Sequence, residues 1–299
     1  MKDLISMIDL RGRWLSLIEL ANDLKWDPVS YAKYLEGATL ALLFEKPSTR
    51  TRASFECAMH QMGGNSMFLS PRDLQLGRGE PVKDTARVLS RYADAIAFRG
   101  HEHKTTLELA EFSQVPVINA LDELEHPCQA LADLFTIWEE KGDFDLKFCY
   151  LGDGNNVCNS LVIAGGLAGM ETVCACPEGR DPVTLEAAKK LGGSVRIERD
   201  PLKAVEGADV LYTDVWVSMG EDSKDREVFR PYQLNREKLD LAQDDCLVMH
   251  CLPAHRGEEI TEDALESENS VVFDQAENRL HVQKALLLDL MLLRPDLDL

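Results

Sequence analysis

The stretch Phe44-Glu45-Lys46-Pro47-Ser48-Thr49-Arg50-Thr51-Arg52 constrains the fold of this chain more than any other. The apolar run Ala41-Leu42-Leu43-Phe44 reads as a short buried strand, and Pro47 turns the chain at its end. Ala53 to Met59 then carries apolar residues at helical spacing, so Ser48 falls at the N-cap of a helix whose first turn runs to Arg52. A helix N-terminus presents unpaired N–H groups and the positive end of the macrodipole. Hydroxyls and two guanidiniums added there make a site for phosphate or carboxylate, which arginine binds through two parallel hydrogen bonds.

At 299 residues the chain exceeds one typical core, so two domains are expected. Apolar content of 45% with 28% charged residues is that of a folded protein. The start, Met1-Lys2-Asp3-Leu4-Ile5, has no continuous apolar segment, and the Leu-rich tail is broken by Asp289, so a cytoplasmic location and no membrane partner are expected. A net charge of −20 argues against nucleic acid and anionic membranes, both of which need a basic surface. Such acidity fits a high-salt cytoplasm, an idea that full activity and stability in dilute buffer would remove. Eight cysteines without a C-x-x-C pair do not form a disulfide framework and read as reduced core residues. Cys174 and Cys176, in a predicted strand, are expected to diverge to opposite faces and to share no metal.

Residues 4–39 read as helices with a turn, and Met67-Phe68-Leu69 as a second strand after Gly63-Gly64. The polar, glycine-rich segment Arg72 to Glu80 is a loop of the kind that carries function. A helix from Asp84 leads to strand Ala95–Phe98, with Arg99 at its carboxyl end, the edge where ligands collect in parallel α/β sheets. After strand Val117–Ala120 come His126-Pro127-Cys128-Gln129, with Pro127 suited to the first helical position and His126 and Gln129 on one face. A second α/β series starts beyond Lys141-Gly142-Asp143, which places one domain at 1–140 plus 278–299 and the other at 141–277.

In that series, strand Phe148–Leu151 precedes Gly152-Asp153-Gly154-Asn155-Asn156, half of a dinucleotide fingerprint. Val157 stands where the third glycine belongs and no acidic residue ends the next strand, so NAD is excluded and Asn155 and Asn156 are kept as polar ligands. Strands are also expected at Val195–Ile197, Asp209–Thr213, Cys246–Met249 and Val271–Phe273, with a last helix from about Asn278 to Leu293. Polar groups follow the strand ends at Asp214 to Gly220, His250 to Pro253 and Gln275 to Arg279. The fold class is therefore α/β: two domains, each a parallel sheet flanked by helices, with an expected active site in the cleft between them. Arginines on one side and Asn, Asp and Cys on the other suit an anionic phosphate donor and an amine acceptor.

Together these motifs resemble the aspartate/ornithine carbamoyltransferase family, almost end to end and in the right order. The resemblance implies carbamoyl phosphate bound by Ser48, Thr49, Arg50, Thr51, Gln75, Arg99, His126, Gln129, Cys251, Leu252 and Arg279. It implies that Thr51, Arg99 and His126 polarise the carbamoyl oxygen, while Gln129 and the Leu252 carbonyl receive its NH2. Asn156, Asp214, Ser218 and Met219 match the positions that hold L-ornithine in the ornithine-using branch, and Cys251 with Asp214 is expected to orient and deprotonate the δ-amine. Arg99, His126, Asp214 and Cys251 are thus the expected catalytic residues, acting without metal or organic cofactor. The family is built on trimers, and the Gln75 loop resembles a segment that enters a neighbouring subunit's site. The rival readings are an N-acylated ornithine or putrescine acceptor, and a non-catalytic metabolite-binding relative.

Overall fold

In the computed structural model, residues 3–70, 72, 74, 79–217 and 226–292 are described. The chain divides into two compact units, Met1–Phe135 with Glu277–Leu299, and Thr136–Ala276. Gln75, Ser218 and Met219 lie outside the described residues.

The first unit holds strands β1 (Thr39–Phe44), β2 (Asn65–Leu69), β3 (Ala95–Arg99) and β4 (Val117–Leu121) in the order β2-β1-β3-β4. All three pairings are parallel. Leu40 to Phe44 of β1 are all buried, the continuous apolar run expected of a parallel strand covered on both faces. Helices α1 (Trp14–Trp26), α2 (Thr49–Gln61), α3 (Val82–Leu89) and α4 (His103–Phe112) belong to the same unit. Ala41, Leu43, Ile96, Phe98 and Leu109 share one buried cluster, each large member contributing about 1.5–3 kcal/mol of burial energy. The N-terminus adds a single bridge at the sheet edge, from Leu4 to Ile118.

α5 (Pro127–Lys141) carries the chain into the second unit. There β5 (Lys147–Leu151), β6 (Glu171–Ala175), β7 (Ser194–Ile197), β8 (Val210–Thr213) and β9 (Leu247–His250) run in the order β7-β6-β5-β8-β9, again all parallel. Helix α6 (Asn156–Ala168) follows β5. Cys149, Leu151, Val173, Leu211 and Val248 anchor its core. In each sheet the strand order reverses at one point, between β1 and β3 and between β5 and β8. Crevices open outside the carboxyl ends of strands at such points.

Three expectations need correction. Val271–Phe273 is not a strand: Ser270 makes one bridge to Val248, and a helix then begins at Val272 and runs to Leu292. The buried positions Val271, Gln275, Asn278 and Arg279 follow helical spacing, whereas Phe273 is exposed. That helix consequently starts six residues before the expected Asn278. Cys174 and Cys176 do not diverge: residues two apart on a strand share a face, β6 ends at Ala175, and burial drives the Cys158 thiol up in company with both of them. Cys158 and Cys174 sulfurs lie 4.0 Å apart.

Candidate functional site

In the first unit the polar groups gather where β1 and β3 end. Ser48 has extended backbone and its hydroxyl accepts the Thr51 N–H at 3.2 Å, capping α2. Thr49 and Arg50 occupy the first turn, with Thr51 buried behind them. Arg52 is directed elsewhere: it pairs with Glu56 at 2.9 Å and lies over the Phe68 ring at 3.7 Å. Arg50 is therefore the arginine of this turn left for an anion.

Arg279, on the helix Val272–Leu292, is buried at 4% exposure and joins two distant segments. Its Nη1 donates to Gln129 Oε1 at 2.6 Å and its Nη2 to Thr51 Oγ1 at 2.8 Å. Gln129 in turn donates through Nε2 to Asp133 Oδ1 at 2.8 Å, which fixes its amide orientation. His126 immediately precedes α5, and its carbonyl accepts the Gln129 and Ala130 N–H groups. Burial first, then the positive charges of Arg279 and Arg99, hold the His126 pKa well below the usual histidine value. The imidazole is therefore neutral near pH 7, a hydrogen-bond donor without a charge of its own. The structure thus brings Thr51, Gln129 and Arg279 into contact and sets His126 within the field of Arg99 and Arg279.

The loop that delivers His126 depends on two acids that motif reasoning passed over. Asp122, fully buried, accepts from Asn119 Nδ2, Thr106 Oγ1 and the backbone N–H groups of Leu124 and Glu125. Glu125 takes the Ser6 hydroxyl at 2.6 Å and the Met7 N–H at 3.0 Å. An acid whose partners come from remote segments has no periodic signature. The closely spaced Asp122, Glu123 and Glu125 around an expected strand end were the only hint.

In the second unit, Asn155 caps α6, its Oδ1 accepting from Val157 and Cys158 N–H at 3.0 Å each. Its Nδ2 donates to Asp214 Oδ2 at 2.8 Å. The other Asp214 oxygen receives the Cys251 thiol at 3.0 Å. Asp214 is 6% exposed just beyond β8, and Cys251 is half-buried just beyond β9. Asn156 is the first residue of α6, half-buried beside its cap. Gly154 serves packing: a Cβ there would come within 2.4 Å of the backbone of Arg180 to Pro182. That accounts for the glycine without a phosphate.

Leu252, half-buried, follows with φ 57° and a cis bond to Pro253. Asp214, His250 and Cys251 bring three potential metal-ligating atoms within 4.8 Å. Both His250 ring nitrogens are already engaged, however, Nδ1 by the Leu252 N–H at 2.8 Å and Nε2 by Glu259 at 3.1 Å. His255, Glu258 and Glu259 form a second such group, with Glu258 paired to Arg226 at 2.5 Å.

The fold class is a two-unit α/β protein of parallel sheets, with a capped helix N-terminus and a buried arginine in one unit and a buried carboxylate beside a thiol in the other. Residues 2–139 match the family model described as aspartate/ornithine carbamoyltransferase, carbamoyl-P binding domain, and residues 144–290 match the Asp/Orn binding domain of the same family. The chain belongs to the aspartate/ornithine carbamoyltransferase family. It is 52% identical to an ornithine carbamoyltransferase of Archaeoglobus fulgidus, over 97% of this chain and 98% of that one. The structure of ornithine carbamoyltransferase from Pyrococcus furiosus superposes with a TM-score of 0.93 at 50% identity, covering 98% of each chain. An anabolic ornithine carbamoyltransferase from Campylobacter jejuni gives 0.93 at 42% identity, covering 98% of this chain and all, 100%, of that one.

Proposed function

We propose that this protein transfers the carbamoyl group of carbamoyl phosphate to the δ-amine of L-ornithine, giving L-citrulline and phosphate, in the direction of arginine synthesis. One observation carries the choice of acceptor: the Asp214 carboxylate, buried and in contact with the Cys251 thiol. A buried carboxylate attracts an amine and repels the second carboxylate that aspartate would bring. Relatives named as anabolic ornithine carbamoyltransferases support the direction.

In this reading Ser48, Thr49, Thr51 and Arg50 hold the phosphate at the α2 N-terminus. Thr51, Arg99 and the neutral His126 polarise the carbonyl, Arg279 holding Thr51 and Gln129 in register. Gln129 and the Leu252 carbonyl take the carbamoyl NH2. Asn156 and Asp214, with Ser218 and Met219, hold the amino acid, and Cys251 orients the δ-amine, a group with an ordinary pKa of about 10.4. The neutral amine attacks the carbonyl carbon and the carbonyl electron pair moves to oxygen, where the preorganised donors stabilise it. Collapse re-forms the carbonyl and breaks the C–O bond to phosphate, which leaves with that electron pair and accepts the amine's proton. The reaction so written uses no metal or organic cofactor. Among the described residues no helix is long and apolar enough to cross a membrane. We assign the protein to the cytoplasm as a homotrimer or a multiple of trimers, with Gln75 reaching a neighbouring site.

The test is citrulline formation with ornithine, N-acetylornithine, putrescine and aspartate as parallel acceptors. Ornithine is expected to react far faster than the others. A different preferred acceptor would overturn the assignment of the Asp214 side, and no turnover with any would leave a binding protein.

A further inference from the structure

The turn after β9 is held from outside. Leu252 adopts φ 57°, a left-handed conformation that a branched side chain does not favour by itself. Its N–H donates to His250 Nδ1 at 2.8 Å. That bond fixes the tautomer, since an accepting Nδ1 leaves the proton on Nε2, which donates to Glu259 Oε1 at 3.1 Å. The same Glu259 oxygen accepts the His255 backbone N–H at 2.5 Å. A single oxygen therefore ties the chain on both sides of Pro253. His250 and Glu259 are wholly buried, and the His250 N–H is fastened to Gln275 Oε1 at 2.9 Å. With the imidazole held at both ring nitrogens and the His250 backbone N–H at a third point, the turn is fixed from three sides.

We propose that Glu259, acting through His250, is a positioning residue that aims the Leu252 carbonyl and so gives the donor site its preference for an amide NH2 over a methyl group. This rests on the reading above, in which that carbonyl accepts from the carbamoyl NH2. The phosphate and the carbamoyl oxygen are bound by other residues, so loosening the turn weakens recognition of the NH2 alone. A hydrogen bond between neutral partners is worth about threefold to tenfold in affinity.

Phosphonoacetamide and acetonylphosphonate are unreactive analogues that differ only in NH2 against CH3, and the ratio of their inhibition constants isolates this contact. The wild type is expected to prefer the amide, and Glu259→Leu to lower that preference by about threefold to tenfold. Glu259→Gln, whose amide oxygen still accepts both N–H groups, is expected to keep it. General damage to the site would weaken both analogues alike, leaving the ratio intact and overturning the proposal. A Gln variant as impaired as the Leu variant would also overturn it. Should Glu259→Leu fail to fold, Glu259→Met, unbranched and close to glutamate in length but without an oxygen to accept either N–H, carries the same test and is expected to lower the ratio as Leu would. A wild type without carbamoyl transfer would overturn the functional reading and this proposal together, whereas an active wild type with variants of unchanged ratio would overturn this proposal alone.

Discussion

The buried histidine offers a stability measurement whose sign the structure fixes. His126 is 4% exposed, and burial, Arg279 and Arg99 all oppose its protonation in the folded state. In the unfolded chain it titrates near the ordinary value of about 6.5. Below that pH the unfolded state binds a proton that the native state refuses, so stability is fully present above pH 6.5 and falls as pH decreases. The limiting slope for one such group is about 1.4 kcal/mol per pH unit, and integration from pH 7.5 to 5.0 gives a loss of about 2 kcal/mol if the folded imidazole stays neutral throughout. Urea unfolding of the wild type and of His126→Gln, at fixed protein concentration, isolates the effect. His281, whose pKa burial also lowers, is common to both proteins and cancels. The stability gap between wild type and variant is expected to narrow by about 2 kcal/mol over that range. Parallel profiles would refute the claim that His126 is held neutral. A gap that widened on acidification would mean that the native state favours the imidazolium.

Three further outcomes are expected. Asp214→Asn removes the charge that faces Cys251 and should lower kcat/KM for ornithine roughly 10- to 150-fold with little change in KM for carbamoyl phosphate, read from steady-state kinetics. A thiol reagent should label Cys57 and Cys251 in the native protein, ornithine protecting the second. The other six cysteines are buried, with the Cys128 and Cys246 thiols pushed up to about 12 by burial, so they should react only on unfolding, as mass spectrometry would show. Gly154→Ala forces a Cβ to within 2.4 Å of three backbone atoms and should cost about 1–3 kcal/mol in thermal unfolding.

Much of this architecture was legible in the sequence because parallel strands covered on both faces are written as short continuous apolar runs. The runs at Ala41–Phe44, Ala95–Phe98 and Phe148–Leu151 fall within β1, β3 and β5. Ser48 could be placed because a cap, a turn and a helical period coincide there. The same logic misread Val271–Phe273: three apolar residues carry no period, and the run begins where a single bridge ends and a helix starts. Side-chain networks were the least legible part. Nothing local in the sequence says that Asn155 spends one end of its amide on α6 and the other on Asp214. Nor does it say that Arg52 turns to Glu56 while Arg50 does not, or that Glu259 holds His250. Those facts arise from tertiary proximity, which composition and spacing do not encode.

Arg279 also bears on the order in which the protein can be made. It is separated from Thr51 by 228 positions along the chain. On a ribosome, the strands and α2 of the first unit emerge long before this guanidinium does, so the nascent chain presents Thr51 and Gln129 without the cation that joins them. A contact spanning so much sequence forms late and carries a large loop-closure cost. An N-terminal fragment released by premature termination would contain the α2 N-terminus but not Arg279. On the proposed reading, competence to hold the donor in this arrangement therefore arises only after residue 279 has been made, and a chain cut short before it would be unable to acquire it.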